Sequence, residues 1–402
     1  MLTFINARVI DGTGSPPVEN ATVIVDNGRI KAVEAGRVMP DCGAVADLKG
    51  RMLLPAFSDA HTHFGGSESL SRPGLGGRDI TYDYALNSDL CLRWGVTTIR
   101  SAGDFMPDII SYRDEVSANQ LHAPRILAAG RMFVARGGHP LYTVYGANES
   151  IRDNACVVYD EDTDIDAAVR DLAEAGVDWI KAFLSTINKM NYPNEAPRLS
   201  YEALRKITET AHKYGKPVMI HVESPADIEE VIDLGVDSIE HVIGVGSTCF
   251  EIPDTLLGKL RDSGIYVVPT LSGIKAHDGS LEGAEAVYPY LGKAVKAMAD
   301  AGVRLGVGCD SGIPFVPCGE SVHVEMELFA ALGLSPMQVI CMATKGNAAM
   351  LRRSDAIGTI EAGKLADIVV LSADPLSDIR NTRQIGLVMK EGRIMEDHIL
   401  SL

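Results

Sequence analysis

Between residues 55 and 352 the chain returns again and again to short apolar runs, at 53–60, 95–101, 125–130, 178–184, 217–222, 237–242, 264–270 and 303–309. Helix-like stretches separate several of them. Thr163 is placed to cap a helix carrying Ile165, Val169 and Leu172, ended by Gly176. Ser200 caps another with Leu204, Ile207 and Ala211 on one face, ended by Gly215 with Pro217 beyond, and Ser335-Pro336 opens a third. Strand and helix alternating in this way over about 300 residues fit an α/β chain folded as a (β/α)8 TIM barrel, for which roughly 250 residues is typical. An open doubly wound sheet is the alternative, but no G-x-G-x-x-G follows an early strand.

Both ends read differently. Phe4–Ile10, Ala21–Val25 and Arg29–Val33 are strand-like, with Asp26-Asn27-Gly28 as a hairpin turn between the last two. Near the C-terminus, Ala366–Leu371 reads as a buried strand, and Gly386–Met389 turns at Glu391-Gly392 into Arg393–Met395. We expect a small composite β-sandwich domain, 1–54 plus 353–402, beside a barrel at 55–352. A chain of 402 residues, 46% of them apolar, has enough material for both. The stretch 131–160, with Arg136-Gly137-Gly138-His139-Pro140, Tyr142 and Tyr145, reads as one long loop of functional kind.

A net charge of −17 excludes the basic face that nucleic acid or an anionic membrane surface requires. No run approaches the ~18 apolar residues of a spanning helix, and MLTFINARVIDGTG carries no signal-peptide pattern. Seven scattered cysteines without a C-x-x-C pair point to a reducing cytoplasm. A homo-oligomer is the default expectation for such a chain.

The chemistry gathers at strand ends. In Asp59-Ala60-His61-Thr62-His63 the two histidines alternate, so both project to one face at the C-terminal rim where barrel enzymes place their catalytic groups. His221 and His241 end two further apolar runs, Asp310 follows Leu305–Cys309, and Lys181 lies inside Trp179–Phe183. Each alone reads equally as a hydrogen-bonded residue that happens to end a strand. Five strand ends delivering ligand-type side chains to one rim suit a metal site better. An interior lysine is costly as a cation. It is either ion-paired with an aspartate, or a neutral amine able to add CO2 and become a carbamate that bridges two metals. Arg136, Tyr142, Tyr145, Glu223 and Glu320 are candidates to line the pocket. Cys309 reads as a small buried hydrophobe, and His122, His212, His277, His323 and His398 lack ligand-type company.

Taken together, these residues resemble the amidohydrolase superfamily, in the branch of Xaa-Pro dipeptidases (prolidases), related metallo-carboxypeptidases and imidazolonepropionase-like proteins. The resemblance is carried by Pro55–His63, Gly95–Arg100, Lys181, His221, Ser238-Ile239-Glu240-His241, Gly308–Gly312 and Gly358–Val370, in order along nearly the whole chain. It implies two divalent metal ions of zinc type. His61, His63 and Asp310 would hold one, His221 and His241 the other, and carboxylated Lys181 would bridge them. A metal-bridging hydroxide would be the nucleophile, Asp310 its proton acceptor, and His139 the stabiliser of the tetrahedral oxyanion; a solvent-facing loop histidine is the other reading of His139. Two positions depart from the branch: Val222-Glu223 follows His221 where Ala-Tyr is common, and Cys318-Gly319 stands where His-Gly is common. The function expected is hydrolysis of an amide bond in a small molecule such as a dipeptide, an Xaa-Pro peptide or an N-acyl amino acid. Cyclic-amide hydrolysis or ring deamination is the runner-up. A non-catalytic binding barrel is disfavoured because all six ligand positions are filled.

Overall fold

The structure, a computed structural model, describes residues 1–39, 42–65, 80–141, 144, 149–185, 196–242, 252–277 and 288–400. Eight strands form the barrel: β1 (Phe57–Thr62), β2 (Val96–Ser101), β3 (Arg125–Ala128), β4 (Ile180–Leu184), β5 (Val218–Val222), β6 (Ser238–His241), β7 (Tyr266–Val268) and β8 (Arg304–Leu305). Neighbours pair in parallel from β1 to β3 and from β4 to β8. Backbone bonds close the ring. Asp178 N donates to Ala128 O at 2.7 Å between β3 and β4, and Ala60 N to Val307 O at 3.0 Å between β1 and the extended chain after β8. Every residue of β1, β2, β4, β5 and β6 is buried, as strands covered on both faces must be.

The chain ends share one eight-stranded sheet, in which Met52–Pro55 lies between N-terminal Leu2–Val9 and C-terminal Ile368–Leu371. Phe4, Val9, Val23, Leu53, Ile368, Leu387 and Met389 form its core. The hairpin at Asn27-Gly28 is present, both residues at positive φ (+48° and +79°) as a two-residue turn of this hand requires. Arg125 of β3 anchors this sheet to the barrel through Asp367 at 2.7 Å and Glu391 at 2.5 Å.

Three expectations are corrected. The run 53–60 is not one strand: it divides at Ala56, whose N–H bonds to Asp367 O at 3.0 Å, and passes from the terminal sheet into the barrel without a linker. The stretch 131–160 is not one loop, because Met132–Ala135 and Cys156–Tyr159 are strands that pair in parallel, the first also with β4. Their apolar runs are only four residues long, which hid them among glycines. The helix Ile165–Glu174 is capped by Asp164, which accepts from Ala167 N at 3.0 Å, while Thr163 is occupied with Asp160. The caps at Ser200 and Ser335 form as expected.

Candidate metal centre

The rim brings the expected histidines together. Ring centroids of His61 and His241 lie 4.6 Å apart, those of His221 and His241 4.5 Å, and those of His61 and His63 5.5 Å. Asp310 reaches in from beyond β8, its Oδ1 3.1 Å from His63 Nε2 and 3.5 Å from His61 Nε2. One ligand atom each from His61, His241 and Asp310 falls within 4.8 Å of the others, a set able to hold a metal ion. This close approach depends on Gly308, where an added Cβ would stand 2.8 Å from His61 N. His241, Thr270 and Asp310 are all held at positive φ (+73°, +50° and +58°), an unusual conformation for such residues that tends to collect at functional sites.

Hydrogen bonds behind the rings decide which nitrogens face inward. His61 Nδ1 donates to Glu240 Oε2 at 2.5 Å and His63 Nδ1 to the Gly103 carbonyl at 3.0 Å, since both partners can only accept. His241 Nδ1 pairs with Thr270 Oγ1 at 2.8 Å. His221 is turned the other way, with Nε2 donating to Glu223 Oε1 at 2.7 Å, which leaves Nδ1 inward. Burial pushes His61 down to about 4, and His221 and His241 well below the ordinary imidazole range, so all three are neutral and carry lone pairs.

The inward atoms are left without partners. His61 Nε2, His221 Nδ1, Lys181 Nζ and Asp310 Oδ1 are buried with no hydrogen bond, against the general rule that buried polar groups are satisfied. With its proton committed to Gly103, His63 turns a lone pair towards the Asp310 carboxylate. Two acceptors 3.1 Å apart need a proton or a cation between them. Burial opposes a charge on His63, but Asp310 overcomes it and raises the imidazole, while the histidines hold Asp310 well below the carboxylate range. Burial lowers Lys181 to about 8, and no described carboxylate pairs with it, which removes the ion-pair reading. The donor set therefore fits divalent cations.

A model of the amidohydrolase family matches residues 52–395. The chain belongs to that family. It is similar to the ochratoxinase of Aspergillus niger, 23% identical over 433 residues that span 98% of this chain and 87% of that enzyme. It is also similar to the imidazolonepropionase of Symbiobacterium thermophilum, 25% identical over 420 residues, 98% of this chain and 92% of that enzyme. The crystal structure of a Xaa-Pro dipeptidase with methionine in its active site matches with a TM-score of 0.83 at 25% identity, covering 98% of this chain and 99% of the other. The fold is thus the amidohydrolase TIM barrel with its β-sandwich domain, and the chain is a hydrolase of C–N bonds.

In this amidohydrolase a second polar group lies beneath the histidines, and its central charges were not singled out from sequence. Arg100 Nη2 pairs with Glu240 Oε1 at 2.8 Å, Nη1 donates to Ser238 Oγ at 2.8 Å, Nε donates to Ala60 O at 2.5 Å, and the guanidinium stacks over Trp179 at 4.5 Å. Asp59 accepts from Cys309 N at 3.1 Å and Ser311 Oγ at 2.9 Å, clasping β1 to the chain after β8. A charged residue inside an apolar strand was the signal that drew attention to Lys181. The same signal marks Arg100 and Glu240.

Two further expected residues join the centre. The His139 ring stands 5.3 Å from that of His221 and 5.6 Å from that of Phe183, and burial pushes it down to about 3. Glu223 is buried beside His221, accepts from Ser185 Oγ at 2.7 Å, and is pushed up to about 7 by burial. Arg136 does not join: it is exposed and pairs with Asp160 at 2.5 Å. Glu320 pairs with Arg383 at 2.9 Å. Tyr142 and Tyr145 lie outside the described residues. Cys309 is a buried thiol, and His323 bonds Thr382 and Trp94 O, each as a structural side chain would. Among the described residues no helix is long and apolar enough to cross a membrane.

Proposed function

We propose that this amidohydrolase cleaves the amide bond of a small substrate, a dipeptide, an Xaa-Pro peptide or an N-acyl amino acid, with two zinc ions and a carbamate on Lys181. His61, His63 and Asp310 would hold one ion, His221 and His241 the other, and the Lys181 carbamate would bridge them. The observation that carries this reading is the group of buried, unpartnered atoms His61 Nε2, His221 Nδ1, Lys181 Nζ and Asp310 Oδ1 at one rim. Bound zinc supplies acidified water and polarisation of the scissile carbonyl.

The chain's own groups do the rest. With a pKa of about 8, Lys181 has an appreciable neutral fraction near physiological pH. Its lone pair can form an N–C bond to CO2 with loss of a proton, giving a carbamate with two oxygen donors. Asp310, held ionised by its histidine neighbours, is the base that takes the attacking water's proton and returns it to the leaving amine. His139 is neutral and can donate an N–H to the oxyanion that develops on the carbonyl. Peptide-type amides are supported by the likeness to a Xaa-Pro dipeptidase. A cyclic amide is the second reading, supported by the likeness to an imidazolonepropionase. We further place the enzyme in the cytoplasm as a homo-oligomer acting on a small molecule, in keeping with its charge of −17 and scattered cysteines.

Elemental analysis of protein purified with zinc and bicarbonate is expected to give close to two metals per chain. Turnover is expected on a panel of dipeptides and N-acyl amino acids. A value that stays at zero or one metal overturns the two-metal centre, and turnover confined to hydantoins or lactams overturns the substrate.

A further inference from the structure

Glu325 is a fully buried glutamate with no part in the chemistry so far. It projects from the helix Glu320–Ala331, which packs into the main core through Val322, Met326 and Phe329. Its Oε1 accepts from Leu271 N at 2.9 Å and its Oε2 from Ser272 N at 2.6 Å. Those two residues open a short helix, Leu271–Ala276, that follows β7. Burying a carboxyl group is costly, and a neutral serine or asparagine is enough to cap an ordinary helix. What the turn at Leu271-Ser272 carries explains the residue better.

Two expected ligands lean on that turn. Thr270, just before it, is held at φ +50°, and its Oγ1 pairs with His241 Nδ1 at 2.8 Å. On the other side, Ser272 Oγ donates at 3.2 Å to the carbonyl of Cys309, the residue before Asp310. Gly273 lies against Asp310 itself, where an added Cβ would stand 3.0 Å from Asp310 Cβ. Thr270 and Asp310 both sit at positive φ, which persists only where the surroundings hold it in place. Glu325 grips the two backbone N–H groups that lie between these arms.

We propose that Glu325 is a positioning residue, which sets His241 through Thr270 and Asp310 through Ser272 and Gly273 at the geometry that the metal ions need. The inference rests on the two-metal centre proposed above. It ties the two ions together, since His241 belongs to one and Asp310 to the other. Glu325 is itself neither a ligand nor a substrate contact.

Zinc retention tests this in the full-length protein without recourse to turnover, by elemental analysis after dialysis against a graded series of chelator concentrations. Glu325→Gln keeps one accepting oxygen and sets its amide N–H groups against the second backbone N–H. It is expected to hold both zinc ions about ten- to a hundredfold more weakly than wild type, the scale of losing a partner behind a ligand. When saturated with zinc, it is expected to lose about tenfold or more in kcat, with KM within a few-fold, on any amide that the wild type cleaves. Ser335→Ala is the control: it removes the cap of the helix Pro336–Cys341, lowers stability and leaves the turn alone, so zinc affinity should not change. Thr270→Val and Ser272→Ala each cut one arm and are expected to weaken zinc binding as well. They decide the matter should Glu325→Gln fail to fold. Wild-type zinc affinity in a folded Glu325→Gln, or in both arm variants, overturns the inference and leaves the two-metal centre standing. An equal loss of zinc in Ser335→Ala also overturns it, because the effect would then follow stability alone. A wild type that binds no zinc overturns the metal centre itself, and the inference with it.

Discussion

Two buried glutamates of the barrel have opposite fates. Glu240 is fully buried, which raises its carboxyl, yet Arg100 beside it, the hydrogen-bonded His61 and the charge of Lys181 together hold it down to about 2. Glu223 is also buried, has no cation, and is pushed up to about 7. The contrast extends to their surroundings. Arg100, Glu240, Ser238 and His61 Nδ1 satisfy one another in a closed network, whereas Lys181 Nζ, His221 Nδ1, Asp310 Oδ1 and Glu223 Oε2 satisfy nobody. Each unsatisfied buried group costs about 1–3 kcal/mol, so four in one place work against folding unless a ligand completes them. The paired set is scaffold, and the unpaired set is where metal and substrate belong.

That division can be broken by mutation. The largest effect is expected on the unpaired side. Asp310→Asn keeps the size and one oxygen but removes the proton acceptor, so turnover should fall by ~10²–10⁴-fold while stability and most of the bound metal remain. Turnover within a few-fold of wild type in a metal-replete variant would move the proton transfer elsewhere, with His139 next to be tested. On the paired side the order of effects reverses. Arg100→Met leaves Glu240 as a buried, uncompensated carboxylate and should cost about 3–5 kcal/mol of unfolding free energy, read from the shift in denaturant midpoint. Arg100→Met with Glu240→Leu should recover much of that loss, since neither charge is then stranded. A single variant as stable as wild type would show that the network does not hold the barrel.

Much of this contrast could be read in the sequence, and the part that could not has a physical cause. Ligand residues announce themselves by ending apolar strands: His61, His221, His241 and Asp310 each interrupt a run that would otherwise stay greasy. Lys181 is legible for the same reason. Whether a buried charge is paired is a different matter. Arg100 and Glu240 are 140 residues apart, and nothing local to either foretells the other. Glu223 was legible as a pocket residue, but its empty oxygen was not. The same limit shows in the fold. The barrel strands stand out because apolar runs of six or so residues are bounded by caps and glycines. The change of sheet at Ala56 is silent, because Pro55, Ala56 and Phe57 are all buried and only their partners differ. Asp164 displaced Thr163 as a cap because adjacent residues with similar side-chain acceptors compete, and the Thr163 hydroxyl had a nearer use with Asp160.

The smallest effect gives the sharpest test of the unpaired set, because it isolates one atom. In the metal-free, CO2-free protein Lys181 titrates at about 8 against 10.5 for an ordinary lysine. Below pH 8 the amine is protonated in both folded and unfolded chains, so the folded state carries the whole cost of an unpaired buried cation. Between pH 8 and 10.5 the unfolded chain binds a proton that the folded chain has shed, and stability must rise with pH. Above 10.5 the cost has gone. The gap corresponds to on the order of 3 kcal/mol. Lys181→Met has no such proton, so its metal-free form should be at least as stable as wild type at pH 7. Its advantage should then shrink by about that amount by pH 10.5, with denaturant midpoints of both proteins measured at each pH. Subtracting the variant removes every other titrating group from the comparison. A difference that stays flat from pH 7 to 10.5 would mean that Lys181 has found an anion in the folded chain, and the lysine would then belong with Arg100 and Glu240. Zinc and bicarbonate should invert the result at pH 7, stabilising the wild type alone, because only the lysine can turn an uncompensated cation into a bridging anion.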